Sequence, residues 1–243
     1  MAYFDTATSF AILLLAAAIH ASFQLSISVL TLLSGHALGR KSARHRLVKL
    51  VGGFIFGAGT MTVLMLSTLA LIFMTSLADG IPSILWAAAC GGALGVGLCV
   101  WLFYYHGDKG TSLWIPRTFA EFLADRCKHS KNTAEAFGLG LTSVFAEFLF
   151  VLAPLALTAL VLIGLPRDLQ LLGVVTYALV SILPLIIVGM LVNSGHKLSR
   201  IQRWREHNKR FLQFAAGSGL LILGAYVYVE QVVNVTVTIG GAS

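Results

Sequence analysis

Residues 136–163 read AFGLGLTSVFAEFLFVLAPLALTALVLI, and stretches of this kind decide the fold. A helix that spans a bilayer needs about 20 predominantly apolar residues. This stretch exceeds that length and contains a single ionisable residue, Glu147. Five further apolar stretches lie on either side of it, at 9–33, 50–77, 82–105, 169–192 and 211–231. The sequence therefore predicts an all-α polytopic membrane protein with six transmembrane helices.

The composition agrees with this prediction and excludes several classes of protein. Hydrophobic residues make up 57% of the 243 positions and charged residues only 11%, whereas soluble domains carry about 25% charged residues. Disorder, a coiled coil and a disulfide-stapled secreted module are excluded on the same grounds. Walker, dinucleotide-binding, serine-hydrolase and zinc-protease motifs are missing from the sequence. We therefore expect no enzyme activity, no cofactor and no metal site.

The net charge of +7 is unevenly distributed over the loops. Lys and Arg are concentrated in the first, third and fifth loops, within residues 40–49, 109–131 and 197–210. The only charged residue of the second loop is Asp79, and the only charged residues of the fourth loop are Arg167 and Asp168. The positive-inside rule then places loops one, three and five in the cytoplasm and both termini outside, in a prokaryotic inner membrane. This explanation favours a lipid bilayer over nucleic acid as the partner of the basic residues.

The third loop is the longest and divides the chain into two halves. We interpret residues 1–243 as one membrane domain, with a first repeat at 9–105, a cytoplasmic connector at 106–135, a second repeat at 136–231 and an outer tail at 232–243. Aligning Phe10 with Phe137 overlays span one on span four and places His20 on Glu147. Because each half holds an odd number of spans, the two copies would be inverted across the bilayer. The sequence thus predicts a three-plus-three inverted repeat.

The connector contains a short amphipathic pattern. Pro116 suits the first turn of a helix, and Phe119, Phe122 and Leu123 follow helical spacing up to Arg126. This pattern predicts a helix on the membrane surface, and a plain tether between the halves is the alternative. Asn132 and Glu135 have the spacing of a capping box that opens span four.

Polar side chains form a stripe along span one and another along span four. At about 100° per residue, each set falls on one face of its helix. Unpaired polar groups cost several kcal/mol in lipid, so we expect both faces to point into the protein. The stripes contain Ser9, His20, Gln24, Ser28 and Thr31 in span one, and Ser143, Glu147, Pro154 and Thr158 in span four.

Glu147 and His20 are the strongest candidates for a functional site. They are the acid and the imidazole that lie deepest within any predicted span, and intramembrane ionisable groups usually mark ion or substrate pathways. A structural hydrogen bond from each to a neighbouring helix is the alternative. Pro154 and Pro184 are expected to kink spans four and five, which would free backbone carbonyls beside a cavity or serve packing alone.

Small residues and cysteines complete the pattern. Glycines on one helix face let helices approach closely, so we expect packing within the chain, and the same faces also allow a homodimer. The pairs are Gly53 and Gly57, Gly91 and Gly95, and Gly217 and Gly224. Cys90 and Cys99 fall on opposite faces of span three, and Cys127 lies in a loop. This arrangement argues against a reactive pair of cysteines within the chain.

The last hairpin carries a resemblance to a known family. Residues 182–189 read ILPLIIVG, a basic loop follows, and residues 211–224 read FLQFAAGSGLLILG. With six spans and inverted halves, this resembles the lysine-exporter superfamily, and within it the cytochrome c biogenesis and disulfide-relay membrane domains. Those domains place a reactive cysteine in each of spans one and four. Here those spans contain no cysteine, so the resemblance implies a polar site around His20 and Glu147 at the same midplane position.

These observations predict a secondary transporter that exports a small solute or cation with proton coupling. His20 and Glu147 would bind the proton or cation, and the path would be lined by Gln24, Ser28, Ser143 and Thr158. Two alternatives remain open: a membrane redox protein of the disulfide-relay kind, and a scaffold that assembles with another membrane protein without transporting.

Overall fold

The computed structural model describes residues 4–23, 26–37, 43–77, 80–104, 117–130, 132–194 and 198–234, and over these ranges the chain is helical. In chain order the helices are α1 (Thr6–Ser22), α2 (Ser26–Ala37), α3 (Ala43–Ser76), α4 (Ser83–Tyr104), α5 (Arg117–His129), α6 (Thr133–Ala146), α7 (Phe148–Gly164), α8 (Arg167–Asn193) and α9 (Leu198–Tyr228), which a π-helical turn (Val229–Val233) extends. Four segments within α3, α4, α8 and α9 are long and apolar enough to cross a membrane, and two bent helix pairs raise that number to six. Over the described residues the structure is therefore all-helical, and its long apolar helices are compatible with an integral multi-pass membrane protein.

In each of the segments predicted as spans one and four, the structure has two helices joined at a bend, where the sequence predicts one helix. These segments are called the broken spans below. Helices α1 and α2 meet at 49°, and helices α6 and α7 meet at 78°. The other predicted spans correspond to single helices that are longer or shorter by a few residues, except that α9 begins thirteen residues before the predicted span. That early start, at Leu198, adds a basic segment to the apolar Arg210–Val233.

The two broken spans begin alike. Asp5 caps α1 by accepting a hydrogen bond from the Thr8 amide, and Asn132 caps α6 by accepting one from the Glu135 amide. The Glu135 side chain completes the capping box that the sequence predicts. Hydrogen bonds from the side chain and the amide of Thr8 lower the pKa of the Asp5 carboxyl, because they stabilise the ionised form. Under the alignment of Phe10 with Phe137, the first residues of α1 and α6 coincide, and so do the last residues of α2 and α7.

Close glycine contacts hold pairs of helices together. A Cβ added at Gly57 would collide with the backbone of Phe137, and one added at Gly140 would collide with the backbone of Phe54, so α3 and α6 touch through their main chains. Gly97 faces the Gly217 carbonyl in the same way between α4 and α9. The predicted packing role is confirmed for Gly53, Gly57, Gly217 and Gly224. Gly91 and Gly95 instead face open space.

The buried apolar residues form two clusters, one at each end of the broken spans. Helices α1 and α7 contribute to one cluster, together with parts of α4 and α9. Helices α2 and α6 contribute to the other, together with the first half of α3, the second half of α8 and the short helix α5. The breaks therefore separate two cores along the length of the protein.

The predicted amphipathic helix of the connector is present as α5. Leu123 and Cys127 are buried in the second cluster, and the Cys127 thiol lies 3.8 Å from the Val29 carbonyl of α2. Phe122 remains 45% exposed, and the side chain of Phe119 lies outside the described residues. Helix α5 thus contacts both α2 and α6 and connects the two broken spans.

Candidate functional site

Glu147 lies at the sharp bend between α6 and α7. Its amide donates to the Val144 carbonyl, and its own carbonyl accepts from the amides of Phe150 and Val151. Hydrogen bonding thus continues through the bend, although the helix axis turns by 78°. The side chain is 1% exposed, so a buried carboxyl group lies where α6 and α7 meet.

The carboxyl group of Glu147 contacts the start of α2. Its Oε1 accepts the Ser26 amide at 2.6 Å and the Ser26 hydroxyl at 2.9 Å. The first amides of a helix lack partners within it and carry a partial positive charge, so they stabilise an acceptor at this position. Glu147 therefore serves as a cap for a helix on the other broken span.

An aromatic contact brings the two breaks together at a second point. The rings of Phe23, just after α1, and Phe150, in the first turn of α7, stack with centroids 5.8 Å apart. The alignment of Phe10 with Phe137 makes these two residues equivalents of each other. The breaks of spans one and four thus lie against each other, as the polar stripes predict for facing interior surfaces.

His20 has a different partner from the one that the sequence suggests. Its Nδ1 lies 3.1 Å from the Tyr177 hydroxyl of α8, and both residues are buried. The two rings are tilted by 51° with centroids 5.7 Å apart. Within the described part of the chain, His20 hydrogen-bonds to Tyr177 and Glu147 to Ser26, so the two candidates do not form a direct pair.

The remaining predicted residues have the following environments. Ser143 is fully buried and donates to the Gly140 carbonyl at 2.9 Å. Thr158 is fully buried, and its hydroxyl has no hydrogen-bond partner among the described residues. Ser28 is half-buried in α2, and its carbonyl accepts from Thr31. Gln24 lies outside the described residues.

Neither predicted kink residue is the site of a break. Pro154 lies inside α7 and Pro184 inside α8, and both helices continue past the proline. The bend of span four comes at Glu147, seven residues before Pro154. A proline can be accommodated in a helix when neighbouring groups satisfy the freed carbonyl. Pro154 is buried and Pro184 is half-buried.

Sequence reasoning missed Ser26 and Tyr177. Ser26 falls outside the helical spacing of the span-one stripe, because that spacing assumes an unbroken helix. Tyr177 lies well inside span five, away from the membrane interfaces where tyrosine is common. Its depth is a signal that could have indicated a buried hydroxyl with a specific partner.

Metal and thiol chemistry find little support in the described residues. Among them, no group of three or more His, Cys, Asp or Glu is placed to hold a metal ion. Cys90 is buried and Cys99 exposed on α4, and Cys127 is buried on α5. Burial raises the pKa of Cys127 to about 11, so its thiol is protonated near neutral pH, and the thiolate is the reactive form.

Comparison of the chain with models of protein families found no match, and searches of curated proteins and of solved structures found none either. The resemblance to the lysine-exporter superfamily therefore stays a prediction.

Proposed function

We propose that the chain is a secondary transporter that exports a small solute or cation across a prokaryotic inner membrane with proton coupling. The observation that carries the proposal is the buried Glu147 carboxyl group where two broken spans meet. Transporters commonly bind substrates and coupling ions at such breaks, because the ends of half-helices offer amides and carbonyls without partners inside the helix.

Glu147 is the proposed proton-binding group. As a carboxylate it accepts two hydrogen bonds from Ser26 through one oxygen. Protonation removes the negative charge at the start of α2 and weakens both bonds, because hydrogen bonds to a charged acceptor are the stronger ones. Proton binding would thereby loosen the joint between the two broken spans.

His20 and Tyr177 form the second polar element of the proposed site. His20 lies in the last turn of α1, three residues before the chain leaves that helix, and Tyr177 ties it to α8. Movement of α1 relative to α8 would change this contact. Gln24, Ser28, Ser143 and Thr158 are proposed to line the path between the two polar elements.

We further propose that the chain is an inverted repeat with six spans and both termini outside. The matching ends and caps of the two broken spans support this symmetry. The stacking of Phe23 on Phe150 supports it independently, since two equivalent residues can touch only near the symmetry axis.

The contact of α4 with α9 also supports the repeat. Gly97 faces the Gly217 carbonyl and the Leu221 side chain, while Gly224 faces the Cys90 carbonyl and the Leu94 side chain. Exchanging the halves converts the first set of contacts into the second. Rocking of two such repeats about their shared centre would expose the site to each side of the membrane in turn.

Flux measurements in proteoliposomes test the transporter proposal. A panel of amino acids and monovalent and divalent cations is offered against an imposed proton gradient, and the internal pH is followed with a dye. We expect the wild-type chain to move protons with at least one solute. Glu147→Gln should abolish the coupling, because an amide does not bind the proton, yet it keeps an acceptor oxygen for Ser26.

Thr142→Ala provides a control, because Thr142 lies next to Ser143 on α6 and bonds only to its own helix. Normal proton-coupled flux in a His20→Ala, Glu147→Gln double variant would contradict the assignment. A disulfide-relay protein would instead lose its function when all three cysteines are replaced. A scaffold would show no flux, and after extraction of the membrane with detergent it would remain in a stable complex with a second membrane protein.

A further inference from the structure

A second polar site lies away from the breaks, between the connector helix and α6. A cavity of about 290 Å³ opens there between α5 and the first half of α6. Its lining includes Phe122, Arg126, His129 and Ser130 on the connector side and Glu135 and Gly138 on α6. None of these residues belongs to the proposed transport site, so the cavity is a separate feature of the protein.

The cavity carries charges of both signs on opposite sides. The Arg126 guanidinium lies 5.4 Å from the centre of the Phe122 ring. The Glu135 carboxylate accepts from the amide and side chain of Asn132 at 3.4 and 3.2 Å. Glu135 thus supplies a carboxylate on the α6 side of the cavity.

Two further features indicate space for a ligand. The hydroxyl oxygen of Ser130 is buried and has no hydrogen-bond partner within the described residues. A Cβ added at Gly138 would meet nothing within 4 Å, so the cavity continues above this glycine. The Nδ1 of His129 is occupied by the Asp125 carbonyl at 2.9 Å, which leaves Nε2 as the ring nitrogen that a ligand could contact.

We propose that this cavity binds a zwitterionic headgroup that carries a phosphate and a primary ammonium, as in phosphatidylethanolamine. Arg126 and Ser130 would hold the phosphate, and Glu135 would accept hydrogen bonds from the ammonium. At ~30 Å³ per water-sized group, the cavity holds roughly ten heavy atoms, which is enough for such a headgroup.

The position of the cavity favours a lipid over a soluble ligand. Helix α5 is amphipathic and packs beside the start of α6, where the apolar part of that span begins. Amphipathic helices of this kind lie in the headgroup layer. Phe122, which lines the cavity, is 45% exposed, so an apolar surface at the cavity can receive acyl chains.

Lipid retention by the purified full-length chain tests the proposal. The protein in detergent is incubated with equal amounts of phosphatidylethanolamine, phosphatidylglycerol and phosphatidylcholine, and the retained lipid is quantified by mass spectrometry. We expect phosphatidylethanolamine to be enriched about fivefold over the other two, the ratio that one net hydrogen bond of about 1 kcal/mol provides. Phosphatidylcholine lacks ammonium hydrogens, and phosphatidylglycerol lacks the ammonium.

Charge variants test which groups are responsible. Glu135→Gln should remove most of the enrichment, because Glu135 contacts the ammonium. Arg126→Gln should lower the retention of all three lipids, because each of them carries the phosphate. Glutamine at position 135 preserves the capping box, so loss of binding in that variant would not reflect loss of the helix cap. Equal retention of the three lipids by the wild-type chain, or unchanged lipid retention in Arg126→Gln, would overturn the proposal.

A pair of glycine variants provides a matched control for the shape of the cavity. Gly138→Leu fills the cavity, whereas Gly92→Leu adds the same side chain on α4, where nothing lies within 4 Å either. We expect only the first to abolish the enrichment, with thermal unfolding in detergent showing that both fold. Retention by both variants alike would contradict the site.

Soluble phosphoethanolamine distinguishes the two sources of this chemistry. Failure of the soluble compound to displace the lipid at millimolar concentration supports the bilayer as the source. Displacement at the lipid's own concentration supports the same side-chain chemistry and assigns the ligand to solution. The inference does not depend on transport, because lipid retention is measured without any flux.

Discussion

Glu147 is buried, and its contact with the start of α2 offsets the free-energy cost of that burial. Moving a carboxylate out of water costs several kcal/mol, which must be recovered through hydrogen bonds and nearby partial charges. The amide and the hydroxyl of Ser26 supply the hydrogen bonds, and the start of α2 supplies the partial positive charge. The same contacts mean that replacing the side chain affects α2 as well as the bend at which Glu147 lies.

Replacement of Glu147 by alanine should be more destabilising than replacement by glutamine. Alanine leaves the buried amide and hydroxyl of Ser26 without their acceptor, at a cost of about 1–3 kcal/mol. Glutamine retains an amide oxygen at nearly the same place and should cost less. Unfolding of the purified variants in detergent, followed by circular dichroism, measures the difference.

Ser26→Ala separates the two contributions, because it removes only the hydroxyl donor. We expect its effect to be smaller than that of Glu147→Ala and largely absent when Glu147 is already alanine, since interacting residues are not additive. Equal stability of Glu147→Ala and Glu147→Gln would show that the Ser26 contacts contribute nothing.

Sequence reasoning identified the ionisable residues at this scale but not their partners. Glu147 and His20 are conspicuous because ionisable groups are rare in apolar segments. Ser26 and Tyr177 are ordinary residue types in such segments. Whether they meet a carboxyl or an imidazole depends on helix packing, which residue type does not specify.

At the scale of helices, glycine is used where two main chains touch. Gly57 and Gly52 both lie on α3, yet only Gly57 faces the backbone of α6. Gly52 has open space beside it. The two positions therefore form a matched pair within one helix.

Gly57→Ala should destabilise the protein by about 1–3 kcal/mol, because the added methyl group forces α3 away from α6. Gly52→Ala should be neutral or stabilising by up to about 1 kcal/mol, because alanine is the better helix former. Thermal unfolding of both variants in the same detergent measures the contrast. Similar effects at the two positions would mean that α3 and α6 are not packed through their backbones.

The element boundaries that depend on local chemistry were predictable, and the breaks were not. The capping box at Asn132 and the amphipathic pattern of α5 are local signals, and both are confirmed. The bend at Glu147 has no proline or glycine beside it. The sequence instead predicts a kink of span four at Pro154, seven residues further along the chain. The hydrogen bonds that hold this break, from Ser26 to Glu147, come from a residue distant in sequence.

At the scale of the whole molecule, the distribution of charge predicts how the chain sits in the membrane. Arg46 and Lys49 are exposed in the first two turns of α3, and Arg210 is exposed where the apolar part of α9 begins. Arg167 and Asp168 lie at the opposite end of the spans, at the start of α8. We propose the first end as cytoplasmic.

Labelling of single cysteines tests this orientation. In a background without the three native cysteines, Asp168→Cys should react with a membrane-impermeant maleimide in intact cells, and Lys128→Cys should react only after the membrane is opened. Both positions are exposed in the structure, so accessibility within the protein is matched. The reverse labelling pattern would place both termini in the cytoplasm.

The sequence by itself determined that the chain is surrounded mainly by lipid, and it determined the number and approximate extent of the apolar segments. It also identified the residues that are too polar to lie in such segments unless they have a polar partner or a function. These properties follow from local composition, because the free energy of placing a segment in lipid is close to a sum over its residues. Only the tertiary structure decided where spans one and four break, and which group each buried polar side chain meets. Those features depend on contacts between residues far apart in the chain, such as Glu147 with Ser26 and His20 with Tyr177, and such contacts exist only once the helices have packed.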